Sequence, residues 1–107
     1  MIERYFNAVV KLSKLRKKYF DDPMHYARLI KEVTGGKVII FGSVVEGKHT
    51  MASDIDVLVI LDSIENRNKV LMEINEILGE FHPFQIHLIT ENEFEWYRKF
   101  VKKRIEV

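Results

Sequence analysis

Two stretches of this chain carry hardly a polar side chain: Val38-Ile39-Ile40-Phe41 and Val57-Leu58-Val59-Ile60-Leu61. Short apolar runs rich in β-branched residues read as strands covered on both faces, because a half-exposed strand would alternate. A chain of 107 residues has room for one such sheet and the helices that cover it, so it reads as a single domain, 1–107. The segment between the two runs is polar. It opens with Gly42-Ser43 and closes with Asp54-Ile55-Asp56, with ten residues between Ser43 and Asp54.

The flanking sequence supplies helices. Ile2, Tyr5, Phe6, Val9, Leu12, Leu15 and Tyr19 recur at spacings of three and four, which predicts a helix over residues 2–20. Asp22 is placed to cap a second helix with Pro23 at its first position, and Gly35-Gly36 to end it. These two helices make an N-terminal helical extension, 1–34. Lys37–Phe41 is the first strand, a short helix begins near Ser43, and Asp54–Leu61 is the second strand. Asp62 or Ser63 caps a helix that runs to Leu78, and Phe84–Ile89 forms a third strand. Residues 37–90 hold the core motif region. Thr90-Glu91-Asn92-Glu93 is a capping box for a final helix over 91–107, with Phe94, Tyr97, Val101 and Ile105 on one face and Trp96 and Phe100 beside it. Trp96 and Phe100 are expected in the core; if exposed, they mark an interface. The fold class is α/β (α+β), with a small mixed sheet and helices packed on one side.

The two polar clusters suggest chemistry when taken together. Residues two apart on a strand share a side, so Asp54 and Asp56 are expected to project together. Paired carboxylates resist joint ionisation unless a cation lies between them, and Mg²⁺ favours such oxygen ligands while keeping water and phosphate oxygens in its shell. Gly42 lets backbone approach a ligand, and the helix start at Ser43 offers N–H groups and a hydroxyl to an anion. Each cluster alone has an ordinary reading, as a solvated strand end and as a tight turn with a capping serine. At the ends of neighbouring strands they can hold a nucleoside triphosphate and its metal. The net charge of +1 argues against a general nucleic-acid binder, and the absence of cysteine excludes thiolate chemistry. No apolar run approaches a membrane span, so a cytoplasmic location is the expectation.

The pattern Gly42-Ser43, ten residues, Asp54-Ile55-Asp56, with Glu46-Gly47 and Ser53 between, resembles the signature of the DNA polymerase β-like nucleotidyltransferase superfamily. Within it the chain is similar to the minimal nucleotidyltransferases, and the likeness covers Lys37 to about Thr90. The resemblance implies that Gly42 and Ser43 bind the β- and γ-phosphates and that Asp54 and Asp56 hold Mg²⁺. It implies transfer of a nucleoside monophosphate, AMP from ATP, to a hydroxyl. It also implies a small helical partner of the HEPN type, with this chain acting as the antitoxin. Homo-oligomerisation is left open.

One position breaks the pattern. The family places a third carboxylate on a later strand, but Phe84-Gln85-Ile86-His87-Leu88-Ile89 has no acid. Gln85 and His87 share a face, so one of them occupies that position. Gln85 brings no charge; His87 can take a proton but suits Mg²⁺ poorly. The alternative function is therefore a degenerate nucleotide-binding or partner-binding module with little turnover. Lys48 and His49 lie in the loop between the motif halves and read as solvated or as phosphate contacts. His25 and His82 have no acid at metal spacing. Arg98-Lys99 and Lys102-Lys103-Arg104 read as the basic end of the last helix.

Overall fold

The computed structural model describes residues 2–50 and 52–107; Met1 and Met51 lie outside them. Local chemistry accounts for most of the element boundaries. Helix α1 spans Ile2–Asp21 and α2 spans Pro23–Thr34. Between them Asp22 accepts the His25 N–H at 3.2 Å, and Pro23 has no N–H that would need a partner. Gly35 closes α2 at φ 69°, where its N–H bonds Lys31 O.

Strand β1 (Lys37–Phe41) is followed by a single helical turn, α3 (Ser43–Glu46), and then by β2 (Ile55–Leu61). The next helix, α4, covers Arg67–Leu78 and starts later than expected. Neither Asp62 nor Ser63 caps it; the Asn66 side chain does, accepting the Lys69 N–H at 3.1 Å. All three residue types cap helices well, so cap chemistry alone could not choose among them. Strand β3 (Phe84–Thr90) leads into α5 (Glu91–Tyr97) through the expected capping box: Thr90 Oγ1 accepts from Glu93 N–H, and Glu93 Oε1 accepts from Thr90 N–H.

Among the described residues the sheet has four strands in the order β3-β2-β1-β4, where β4 is Arg104–Glu106. β2 and β3 are parallel, and β1 runs antiparallel to β2 and β4, so the sheet is mixed. One face carries Val38, Ile40, Ile55, Val57, Val59, Phe84 and Leu88 against Tyr19, Phe20, Ala27, Ile30, Ile74 and Leu78. The three long helices thus lie on one side. The other face carries Ile39, Leu58, Ile60 and Ile89 and is partly covered by Phe94 and Val101. This double burial explains why β1 and β2 lack polar alternation.

The final helix expected over 91–107 does not form. α5 stops at Tyr97, the chain turns, and Arg104–Glu106 pairs with β1 in the register Ile39↔Glu106, Ile40↔Ile105, Phe41↔Arg104. Phe94, Tyr97, Val101 and Ile105 imitate helical spacing, and no glycine or proline interrupts them. Tertiary demand overrides that pattern. Without β4, the outer edge of β1 would leave a row of backbone donors and acceptors unpaired beside a buried face. Lys102 and Lys103 therefore lie beyond any helix end. Trp96 and Phe100 are not core residues: they are 61% and 67% exposed, with their rings in tilted contact at 4.7 Å between centres. Ile2, Tyr5, Phe6, Val9, Leu12 and Leu15 of α1 are likewise exposed, while Tyr19 and Phe20 anchor its last turn. Among the described residues no helix is long and apolar enough to cross a membrane.

His82 has a structural role. Its Nδ1 accepts the Phe84 N–H at 3.1 Å, and its Nε2 lies 2.7 Å from Asn75 Oδ1, a pairing that fits the neutral ring. Burial pushes its pKa below the ordinary value of about 6.5. Between the two values the unfolded chain binds the proton and the folded chain does not. Stability is therefore fully present above about 6.5 and falls as the pH drops towards the folded value. Thermal unfolding followed on acidification is expected to show this loss, and His82→Gln to flatten it.

Candidate functional site

The site forms where β1 ends, β2 begins and β3 passes alongside. Gly42, which caps α3, has φ 83° and ψ −154°, a conformation essentially restricted to glycine. The spatial constraint is as strong: a Cβ on Gly42 would collide with Asp56 Oδ2. The bare glycine and the carboxylate are thus matched parts, with Asp56 occupying the space a side chain would take. Ser43 begins α3, and the first N–H groups of any helical turn have no intrahelical acceptor. The turn closes when Val45 and Glu46 N–H groups bond Gly42 O and Lys48 N–H bonds Ser43 O.

Asp56 lies within β2, opposite Phe41 of β1 and beside Gln85 of β3. Strand alternation sends residues 56, 58 and 60 to the face shared with Phe41, Gln85 and His87. Asp56 is half-buried there, and His87 Nε2 lies 3.4 Å from its Oδ1 while the imidazole packs on the Phe41 ring. Gln85 is exposed next to Asp56. The sheet therefore brings together Gly42, Asp56, Gln85 and His87.

Asp54 is placed differently. β2 begins only at Ile55, so the strand ladder does not control Asp54, which is 61% exposed. Its neighbour is Arg16 of α1, at 3.9 Å. The sequence reading missed Arg16. A signal was available, because Arg16 follows Leu12 by four residues and precedes Tyr19 by three, placing a charge on the apolar face. The lysines of α1 fall elsewhere. Lys48 is solvated, whereas His49 stacks on Phe20 at 5.6 Å. A cleft of about 270 Å³ adjoins Gly42, bounded by Glu46, Phe100, Lys102 and Lys103. Folding of β4 onto β1 brings these two lysines to the motif.

Among the described residues no three His, Cys, Asp or Glu side chains are grouped to hold a metal ion. Mg²⁺ that arrives with triphosphate oxygens and water needs only one or two protein carboxylates, not an all-protein cage. Asp54 and Asp56 would hold it, with Gly42 and Ser43 beside the phosphates.

The profile of the nucleotidyltransferase domain family matches residues 26–107. The chain belongs to this family. A crystal structure of a provisionally assigned nucleotidyltransferase is similar at 28% identity and TM-score 0.61, covering 80% of this chain and 98% of that one. A second crystal structure, of a provisionally assigned nucleotidyltransferase from Sulfolobus solfataricus, shares the fold at 16% identity and TM-score 0.56, covering 91% of this chain and 83% of that one. None of the curated proteins matches significantly. Family membership supports a nucleotidyl transfer function and agrees with the polymerase β-like superfamily. The matched region begins within α2, so α1 lies ahead of it.

Proposed function

We propose that this nucleotidyltransferase domain is a minimal, antitoxin-type member of its superfamily. It would bind Mg–ATP and transfer AMP to a hydroxyl on a HEPN-type helical partner. The observation that carries the reading is the close approach of the Asp56 carboxylate to the bare backbone of Gly42, which puts the acid of one motif half against the glycine turn of the other. Mg²⁺, when bound, neutralises phosphate charge and polarises the phosphorus under attack. Gly42 and Ser43 orient the β- and γ-phosphates, and Asp54 and Asp56 fix the metal. The acceptor oxygen forms a bond to the α-phosphorus as the bond to the bridging α–β oxygen breaks, and pyrophosphate departs. His87 would serve as base through Nδ1, because its Nε2 pairs with the Asp56 carboxylate and so carries the ring proton.

A second reading has its own support. Gln85 stands beside Asp56 where the superfamily would carry a carboxylate, which favours a module that binds nucleotide or partner with little turnover. One experiment separates the two. The protein is incubated with Mg²⁺, α-labelled ATP and the product of the neighbouring gene. Label on the partner that is lost with Asp54→Asn supports the enzyme. Binding without label supports the module, and failure to bind Mg–ATP overturns the enzyme and leaves the module only as a binder of its partner. The double variant Gln85→Ala/His87→Ala is expected to keep Mg–ATP binding and lose transfer by about 10²-fold or more. Undiminished transfer would remove β3 from the mechanism.

A further inference from the structure

The first helix reaches the site although it precedes the matched family region. We propose that Arg16 is a positioning residue: it holds the Ser53–Asp54 peptide so that the Asp54 carboxylate is set for the metal carried by a nucleoside triphosphate. The metal part of this role rests on the function proposed above.

Asp54 needs such support because it lies outside the β2 ladder that fixes Asp56. The turn before it is closed by its own bonds. Thr50 N–H donates to Ser53 Oγ at 2.9 Å, Ser53 N–H to Thr50 O at 2.9 Å, and Ala52 N–H to Thr50 Oγ1 at 3.2 Å. These bonds shape the turn without tying it to the body of the protein. Helix α1 supplies the tie at both ends of the segment. Arg16 Nη2 donates to Ser53 O at 2.6 Å and lies 3.9 Å from Asp54 Oδ1, an ion pair rather than a hydrogen bond. The guanidinium sits 5.9 Å from the centre of the Phe20 ring, and that ring stacks on His49 with planes 4° apart.

Arg16 differs from its neighbours on α1. Its side chain is 18% exposed, whereas Lys11, Lys14, Lys17 and Lys18 are solvated. Its Nε is buried with no hydrogen-bond partner among the described residues, an arrangement that costs stability. The guanidinium is thus held in place at some expense by its contacts with the ring, the carbonyl and the carboxylate. A lysine cannot reproduce them, because an ammonium has neither the planar fork nor the stacking face.

Two measurements on the intact protein test this. In the metal-free protein, Arg16→Ala is expected to accelerate amide hydrogen exchange at Ser53, Asp54 and Ile55 while Val57–Ile60 stay protected. In titrations with ATP, the Mg²⁺-dependent part of the affinity is expected to fall roughly 10- to 100-fold, with affinity in chelator unchanged. Arg16→Ala/Asp54→Asn should bind no more weakly than Asp54→Asn alone, because Arg16 acts through Asp54. Arg16→Lys, which keeps the stem and the charge, is expected to show the same losses and carries the test if the alanine variant does not fold. Unchanged exchange, or an intact Mg²⁺-dependent gain in either variant, overturns the proposal. A wild-type protein without any such gain overturns the function reading and the metal part of this one, whereas faster exchange would still establish the grip of α1 on the loop.

Discussion

Replacement of Gly42 by alanine is expected to abolish nucleotide binding and to destabilise the fold. Two costs add. The backbone at φ 83°, ψ −154° costs a residue with a Cβ of order 1–3 kcal/mol. The new Cβ would also collide with Asp56 Oδ2, so either the carboxylate or the turn has to move. Asp56 has little freedom to yield, with its backbone in β2 between β1 and β3 and His87 against its other oxygen. Thermal unfolding measures the first cost and a titration with Mg–ATP the second. Gly47→Ala is a suitable comparison: Gly47 also has positive φ, at 71°, but its Cβ would meet nothing within 4 Å. A Gly42→Ala protein that binds Mg–ATP like the wild type would show that the turn does not contact phosphate.

Gln85→Asp is expected to act in the opposite direction. It places a carboxylate beside Asp56, on the adjacent strand and in register. Without a cation the two acids repel, and the variant should unfold at a lower temperature than the wild type. With Mg²⁺ and nucleotide the third anionic ligand should reverse that loss, so the Mg²⁺-dependent rise in unfolding temperature should exceed that of the wild type. Transfer to the acceptor is expected to rise on the order of 10²-fold, the scale of one well-placed acid–base or metal-ligand group. Equal Mg²⁺ responses in the two proteins would place the missing ligand elsewhere, and His87 would be the next position to change.

The contrast between Asp56 and Asp54 shows how far the site can be read from sequence. Asp56 follows from periodicity: it belongs to an apolar strand, and alternation assigns its face. The same rule, extended two residues back, placed Asp54 on that strand as well. The ladder begins at Ile55, and Asp54 is located by a turn and by Arg16 from a helix 37 residues before the Ser53 carbonyl it bonds. The C-terminal segment teaches a similar lesson. Phe94, Tyr97, Val101 and Ile105 satisfy helical spacing, and only the open edge of β1 gives Arg104–Glu106 a reason to extend.

Local signals in the sequence were enough for the caps that start α2 and α5, the two apolar strands buried on both faces, and the Gly42-Ser43 and Asp54-x-Asp56 clusters. Caps, turns and periodicity act over a few residues, so they can be read along the chain. Tertiary structure alone decided which groups meet. It fitted Asp56 into the space left by Gly42, set Gln85 and His87 beside it, ended the chain as a strand, and brought Arg16 across from α1. These are contacts between residues distant in sequence, and they are settled by which backbone edges and buried charges need a partner once the sheet has formed.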